Sequence, residues 1–181
     1  MEVWEVKHVD EAEATAARRL NGYDVEELQE FVSTGRRDHQ KAERNPVVTA
    51  RWVGGSRARV EGAGFSPLHI GGDEEPSAMK ALLGCLAACD VELVTMHATL
   101  LGIQIEELTV ESRGHFTVRR LLGEDDAPPA GFDQVSYTVR LKAPGATPKQ
   151  VDRLRRLCER ASPVGDTLIR SVPLTLEFVA E

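Results

Sequence analysis

The chain has 181 residues, 41% of them hydrophobic and 28% charged, enough apolar material for one domain with a proper core. A formal net charge of −7 argues against a nucleic-acid or anionic-membrane surface as its main business. The opening MEVWEVKHVDEAEATAARRL has no basic segment followed by an apolar one, so no signal peptide is expected; no membrane span is expected either. In the reducing, cytoplasmic setting this implies, three cysteines read as free thiols rather than a disulfide framework.

Residues 1–45 read as a helical extension and 46–181 as the main domain. DVEELQEFV, Asp24 to Val32, predicts a short helix: Asp24 caps it, Glu27 completes a capping box, and Val25, Leu28, Phe31 and Val32 share one face. Gly35 is expected to end it, and the charged run from Arg36 to Asn45 to be exposed. From Val47 the pattern changes: VVTARWV and RARVEG flank Gly54-Gly55 as a hairpin, and SPLHIGGDEEP reads as loop. Pro76 then opens a long helix running to Gly102, apolar on nearly every side from Ala78 to Cys89 and therefore expected in the core. Asp90 and Glu92 interrupt the apolar run and are expected to meet solvent or an interface ion pair.

IQIEELTVESRGHFTV predicts one long strand, followed by a Gly-, Pro- and Asp-rich loop to Gly131. QVSYTVRLKA alternates cleanly, with Val135, Tyr137, Val139 and Leu141 on one side. A second helix starts at Thr147 with Pro148 in its first turn and Gln150 closing a capping box; Val151, Leu154, Leu157, Cys158 and Ala161 form its stripe. SVPLTLEFV predicts a last strand. The order of elements gives an α+β fold with antiparallel sheets packed on a long helix.

Chemistry centres on ALLGCLAACDVEL, residues 81–93, with Cys85 and Cys89 four apart. Helix residues four apart have Cβ atoms about 5–6 Å from each other, too far for a disulfide. Without CxxC, HxxxH or a paired cysteine–histidine motif, no metal site is expected. His97 lies two turns beyond Cys89, too far for a direct dyad. Two readings remain: small hydrophobes in a core, or one reactive thiolate, the latter favoured by the small neighbours Ala87 and Ala88.

PSAMKALLGCLAAC, followed by LLGIQIEELTVESRG and ERASPVGDTLIRSVPLTLEF, resembles the OsmC/Ohr family of thiol-dependent peroxide reductases over roughly residues 47–179. The resemblance implies an intertwined α+β homodimer with its thiol sites near the subunit interface. It assigns the reactive cysteine to Cys89, thirteen residues before Gly102, and leaves Cys85 as packing. The family's second cysteine falls on Ser162, within Ser-Pro-Val instead of Cys-Pro-Val, and the family's helix glutamate falls on Met79. An activating arginine would come from the first hairpin, where Arg51, Arg57 and Arg59 are the candidates. Resolution of an oxidised Cys89 would fall to Cys158, Cys85 or an external thiol, since serine forms no disulfide. His69, just before the long helix, and Met79 are candidates to line the substrate site. The implied substrate is a small organic hydroperoxide, with no cofactor; the alternative is a non-catalytic dimer that binds a small apolar ligand or senses redox state.

Overall fold

The computed structural model describes residues 19–180. Residues 1–18 of the expected extension lie outside the described residues.

Strands β1 (Arg19–Leu20) and β2 (Tyr23–Asp24) form a minimal antiparallel pair that leads into helix α1 (Val25–Arg37). The Asp24 carboxylate accepts from the backbone N–H groups of Glu26 and Glu27, but the Glu27 side chain does not bond back to Asp24, so the cap forms without the expected capping box. Gly35 does not end this helix, which continues to Arg37 and closes on Asp38 with a bond from the Asp38 N–H to the Thr34 carbonyl. Leu28 is the buried member of the apolar face, whereas Phe31 is 58% exposed.

The first sheet runs β3 (Val48–Trp52), β4 (Ala58–Gly62) and β5 (Leu68–Ile70), all antiparallel. Gly54 and Gly55 turn the hairpin at φ 110° and 55°, where a side chain would be strained. The segment read as loop thus contains a strand: Leu68–Ile70 pairs with Val60–Ala58, which places His69 opposite Arg59.

Helix α2 (Ala78–Leu100) is capped by the Ser77 hydroxyl. By length and composition alone this 23-residue helix would suffice to cross a membrane. It packs instead against the second sheet and the later helices of the same chain. Its buried stripe is Leu86, Asp90, Leu93, Val94, Ala98 and Thr99, three or four residues apart. Its first half is not a core helix within one chain, because Leu82, Cys85, Ala88 and Val91 are exposed.

The second sheet pairs β6 (Glu107–His115) with β7 (Gln134–Lys142), antiparallel along nine residues each. Val135, Tyr137, Val139 and Leu141 are half-buried and their neighbours exposed, the alternation the sequence predicts. The preceding run 103–106 is loop rather than strand. Helix α3 (Pro148–Ala161) has the full Thr147–Gln150 capping box and buries Leu154 and Cys158. A short helix, α4 (Pro163–Ile169), follows at once. The core joins Leu93, Val94, Ala98, Ile103, Leu154 and Cys158, with Leu108, Val139 and Leu141 packed against them. Residues 171–180, expected as a strand, pair with no other strand of the described chain.

Asn21 ties the extension to this core. Its φ of 51° is the left-handed conformation that asparagine tolerates. Its amide donates to Thr99 Oγ1 at 3.1 Å and to the Ile103 carbonyl at 2.8 Å, and accepts from the Ile105 N–H at 2.9 Å. Asn21→Ala strands these partners and strains the turn, so denaturant unfolding is expected to register a loss of about 1–3 kcal/mol.

Candidate functional site

The site assembles where α2 meets the α3–α4 junction. Ser162 is the last cap of α3 and the first of α4, and is 2% exposed. Its Oγ accepts from the Gly165 N–H at 3.3 Å and donates to Cys89 Sγ at 3.5 Å. Pro163 at the first position of α4 pre-sets the turn that holds the serine in this double role. A Cβ added at Gly165 would lie 3.1 Å from the Ser162 Cβ and Oγ and 3.7 Å from Leu86 Cδ1, so the junction is closely packed.

Beside this contact sits Asp90, wholly buried at 0% exposure. This corrects the expectation of solvent or an interface ion pair: Asp90 lies four residues after Leu86 on the buried stripe, whereas Glu92 is exposed. The carboxyl neighbours the hydroxyls of Ser162 and Tyr137, yet neither of its oxygens has a partner in good hydrogen-bond geometry. Both hydroxyl protons go elsewhere: Ser162 donates to Cys89, and Tyr137 donates to the Cys158 carbonyl at 3.2 Å. Burial raises the Asp90 pKa, opposed by the two neighbouring hydroxyls. Burial and the nearby Asp90 push Tyr137 up to about 12 and the Cys158 thiol up to about 11.

The three thiols therefore differ. Cys85 is exposed, Cys89 is half-buried against Ser162, and Cys158 is buried. With its proton held so tightly, Cys158 is a poor nucleophile at neutral pH. The exposure of Cys85 differs from the packing role expected for it.

A cavity of about 780 Å³ opens beside the junction; Met79, Leu82, Leu86 and Leu168 line its apolar side, Ser162, Glu159, Arg160 and Asp166 are among its polar lining, and Cys89 is not in the lining. Of the two residues expected to line a substrate site, Met79 lines this cavity. His69 does not: it is exposed on β5 and lines a separate surface hollow with Arg57 and the 71–75 loop. Arg51 and Arg59 pair with Glu61 at 3.6 Å and 2.9 Å, so their described ionic contacts stay within the first sheet. The structure brings together Cys89, Ser162, Asp90, Tyr137 and Cys158. The sequence reading missed Asp90 and Tyr137 as members of the site, although the Leu86-to-Leu93 spacing placed Asp90 on the core stripe. Among the described residues, no cluster of three or more His, Cys, Asp or Glu side chains is placed to hold a metal ion.

The family model described as OsmC-like protein matches residues 71–177. The chain is also similar to the solved structure of an OsmC-like protein from Mycoplasma pneumoniae, at 16% identity and TM-score 0.59, covering 70% of this chain and 89% of that one. An OsmC-like protein of unknown function from Vibrio cholerae aligns at 11% identity and TM-score 0.56, covering 69% and 94%. An organic hydroperoxide resistance protein from Legionella pneumophila aligns at 16% identity and TM-score 0.48, covering 69% and 89%. No curated protein matches the chain.

Asp90 has a pH signature. Its folded pKa lies above the unfolded value, so both states are protonated in acid and burial then carries no charge penalty. As pH rises past about 3.9, the unfolded state ionises while the folded state retains its proton, and stability falls until pH passes the folded pKa. Asp90→Asn removes that loss. It is expected to melt above wild type at pH 8, with the gap closing toward pH 4 in calorimetric scans.

Proposed function

The chain belongs to the OsmC-like family, and from that premise we propose that it is a thiol-dependent redox protein that reduces small organic hydroperoxides through Cys89. The observation that carries the reading is the Ser162 hydroxyl at 3.5 Å from Cys89 Sγ, Ser162 itself lining a cavity with an apolar side. A hydrogen bond to sulfur favours the thiolate, which is the nucleophile. The apolar lining suits the organic portion of a hydroperoxide.

In the proposed reaction the thiolate attacks the distal peroxide oxygen. The S–O bond forms as the O–O bond breaks, Cys89 becomes a sulfenic acid, and the alkoxide leaves as an alcohol after taking a proton. Ser162 cannot condense with the sulfenic acid. Cys158, buried with its thiol pushed up to about 11, is poorly suited to do so. An external thiol therefore completes the cycle. Its first equivalent forms a mixed disulfide and releases water, and its second frees Cys89. The activating arginine in this reading comes from the first hairpin, as Arg51, Arg57 or Arg59.

The proposed acting form is a homodimer in the cytoplasm. Trp52 is 78% exposed on β3, and Leu174, Leu176 and Phe178 are 96%, 83% and 85% exposed on the C-terminal segment. These join the uncovered first half of α2 as surface that a second copy would bury. The C-terminal segment, paired with no strand of the described chain, alternates apolar and polar residues from Leu174 to Phe178, the pattern of a strand that adds to another chain's sheet edge. Serine at the second cysteine position favours one alternative, an OsmC-like dimer that binds an apolar ligand without turning it over.

Peroxide consumption with an organic hydroperoxide and a dithiol reductant tests the reading. Wild type, Cys85→Ser and Cys158→Ser are expected to turn over, and Cys89→Ser to lose activity to the uncatalysed rate. Without reductant, mass spectrometry should find a trappable sulfenic acid on residue 89. In Ser162→Cys, a disulfide between residues 89 and 162 is expected instead, because the native side chains already meet at 3.5 Å. A folded wild type that consumes no peroxide moves the assignment to the binding alternative. Light scattering is expected to give a dimer at micromolar concentration, weakened by deletion of residues 171–180.

A further inference from the structure

Asp90 is the one buried carboxylate of the site, and the reaction proposed above does not use it. We propose that Asp90 is the proton acceptor for Cys89, working through the Ser162 hydroxyl. Its placement carries the argument. Asp90 neighbours Ser162, Ser162 reaches Cys89 Sγ at 3.5 Å, and the carboxyl is sealed from water at 0% exposure.

Proton inventory on this short path allows two arrangements. In one, Cys89 is a thiol and Asp90 a carboxylate. In the other, the sulfur proton has passed to Ser162 Oγ, the serine's own proton has passed to Asp90, and Cys89 is a thiolate. One negative charge is present throughout, and the hydroxyl returns to its starting composition. In the thiolate arrangement Asp90 donates to Ser162 and Ser162 donates to sulfur; the Ser162–Cys89 contact is present in the structure, and the step requires the neighbouring Asp90 and Ser162 groups, unbonded there, to form their bond.

The groups facing Asp90 fit this role. Tyr137 comes from β7 and Cys158 from α3; both hold their protons well into the alkaline range. Glu159 adds a negative charge near both of these neighbours. Burial moves Asp90 itself away from the ordinary carboxylate range and toward that of a thiol, which brings the two arrangements closer in free energy. Where the hydroperoxide reaction proceeds, the proton stored on Asp90 returns through Ser162 to the leaving alkoxide. The sum is then one thiol and one hydroperoxide converted to one sulfenic acid and one alcohol. Asp90 acts through Ser162 and touches no substrate, so it is a positioning residue for the proton.

This step rests on the Cys89 reading but not on peroxide, so its test uses iodoacetamide, followed on the Cys89 peptide alone by mass spectrometry between pH 5.5 and 9. The sign of the Asp90→Asn effect is diagnostic. If Asp90 were only a nearby anion, its removal would favour the thiolate and speed labelling. If it accepts the sulfur proton, Asp90→Asn slows labelling near pH 6.5 by about tenfold and moves the rise in rate to more alkaline pH. Ser162→Ala is expected to do the same, Ser162→Thr to keep the wild-type profile, and the double variant Asp90→Asn/Ser162→Ala to be no slower than either single one. Circular dichroism and melting confirm folding, and Asp90→Ser is read in its place, with the same expected slowing, if Asp90→Asn does not fold. Unchanged or faster labelling in folded Asp90→Asn overturns the inference, as does equal labelling in Ser162→Ala and Ser162→Thr. Wild type that labels as expected yet consumes no peroxide overturns the peroxidase reading and leaves this inference standing.

Discussion

The structure depends on one helix face. Leu86, Asp90, Leu93, Val94 and Ala98 form a single stripe along α2, and the later elements of the chain are arranged to cover it. Leu93 and Val94 meet Cys158 from α3 with Val139 and Leu141 from β7, while Ala98 meets Leu154 and Ile103. Because the stripe includes a carboxylate, the elements that cover it must also meet a polar group at that level. Tyr137 and Ser162 are the polar side chains brought there.

Ser162 is where that packing becomes chemistry. A serine between two helices normally serves one of them; this one caps α4 through the Gly165 N–H and reaches across to the Cys89 sulfur. Its position is fixed by backbone on both sides, so the contact with sulfur costs little further side-chain ordering. The same rigidity distinguishes Cys89 from the other two thiols by place rather than by residue type. Cys158 is one helical turn from Ser162, yet desolvation holds its proton, and Cys85 is one turn from Cys89, yet it points away from the junction to the surface.

The buried acid also carries a cost. A carboxyl with both oxygens unpartnered destabilises the fold it sits in, and such groups are tolerated where they serve a site. Stability elsewhere offsets it locally: the capping box of α3, the Asn21 bonds to Thr99, Ile103 and Ile105, and the Ser112 hydroxyl donating to the Leu83 carbonyl at 2.8 Å all brace α2 against its neighbours. The bracing is uneven. Most of it lies at the C-terminal end of α2, with the Ser112 bond to Leu83 on the first half; that half, the first sheet and the C-terminal segment leave large apolar side chains uncovered. The chemistry therefore sits at the boundary between a well-packed half and an incompletely covered one.

Local rules made much of this legible in the sequence. The Asp24 and Thr147 caps, the Gly54-Gly55 hairpin and the strict alternation of β7 each follow from residues a few positions apart, and each stands in the structure as the sequence reads. The order of elements and the spacing from Cys89 to Gly102 carried the family and the fold. Failures came where a neighbour from elsewhere in the chain decides. Gly35 stays helical, with Ala42 packed 3.6 Å from where its Cβ would lie, and Leu68–Ile70 becomes a strand because β4 offers it an edge. Asp90 is the clearest case. Its register on α2 was readable, but whether a charged residue meets water or a buried hydroxyl depends on elements 47 and 72 residues further along the chain, at Tyr137 and Ser162. Sequence by itself determined the long helix, the caps and the alternation of β7; tertiary structure alone decided that Ser162 stands beside Cys89 and that Asp90 is buried next to it, because only packing brings side chains 72 residues or more apart into contact.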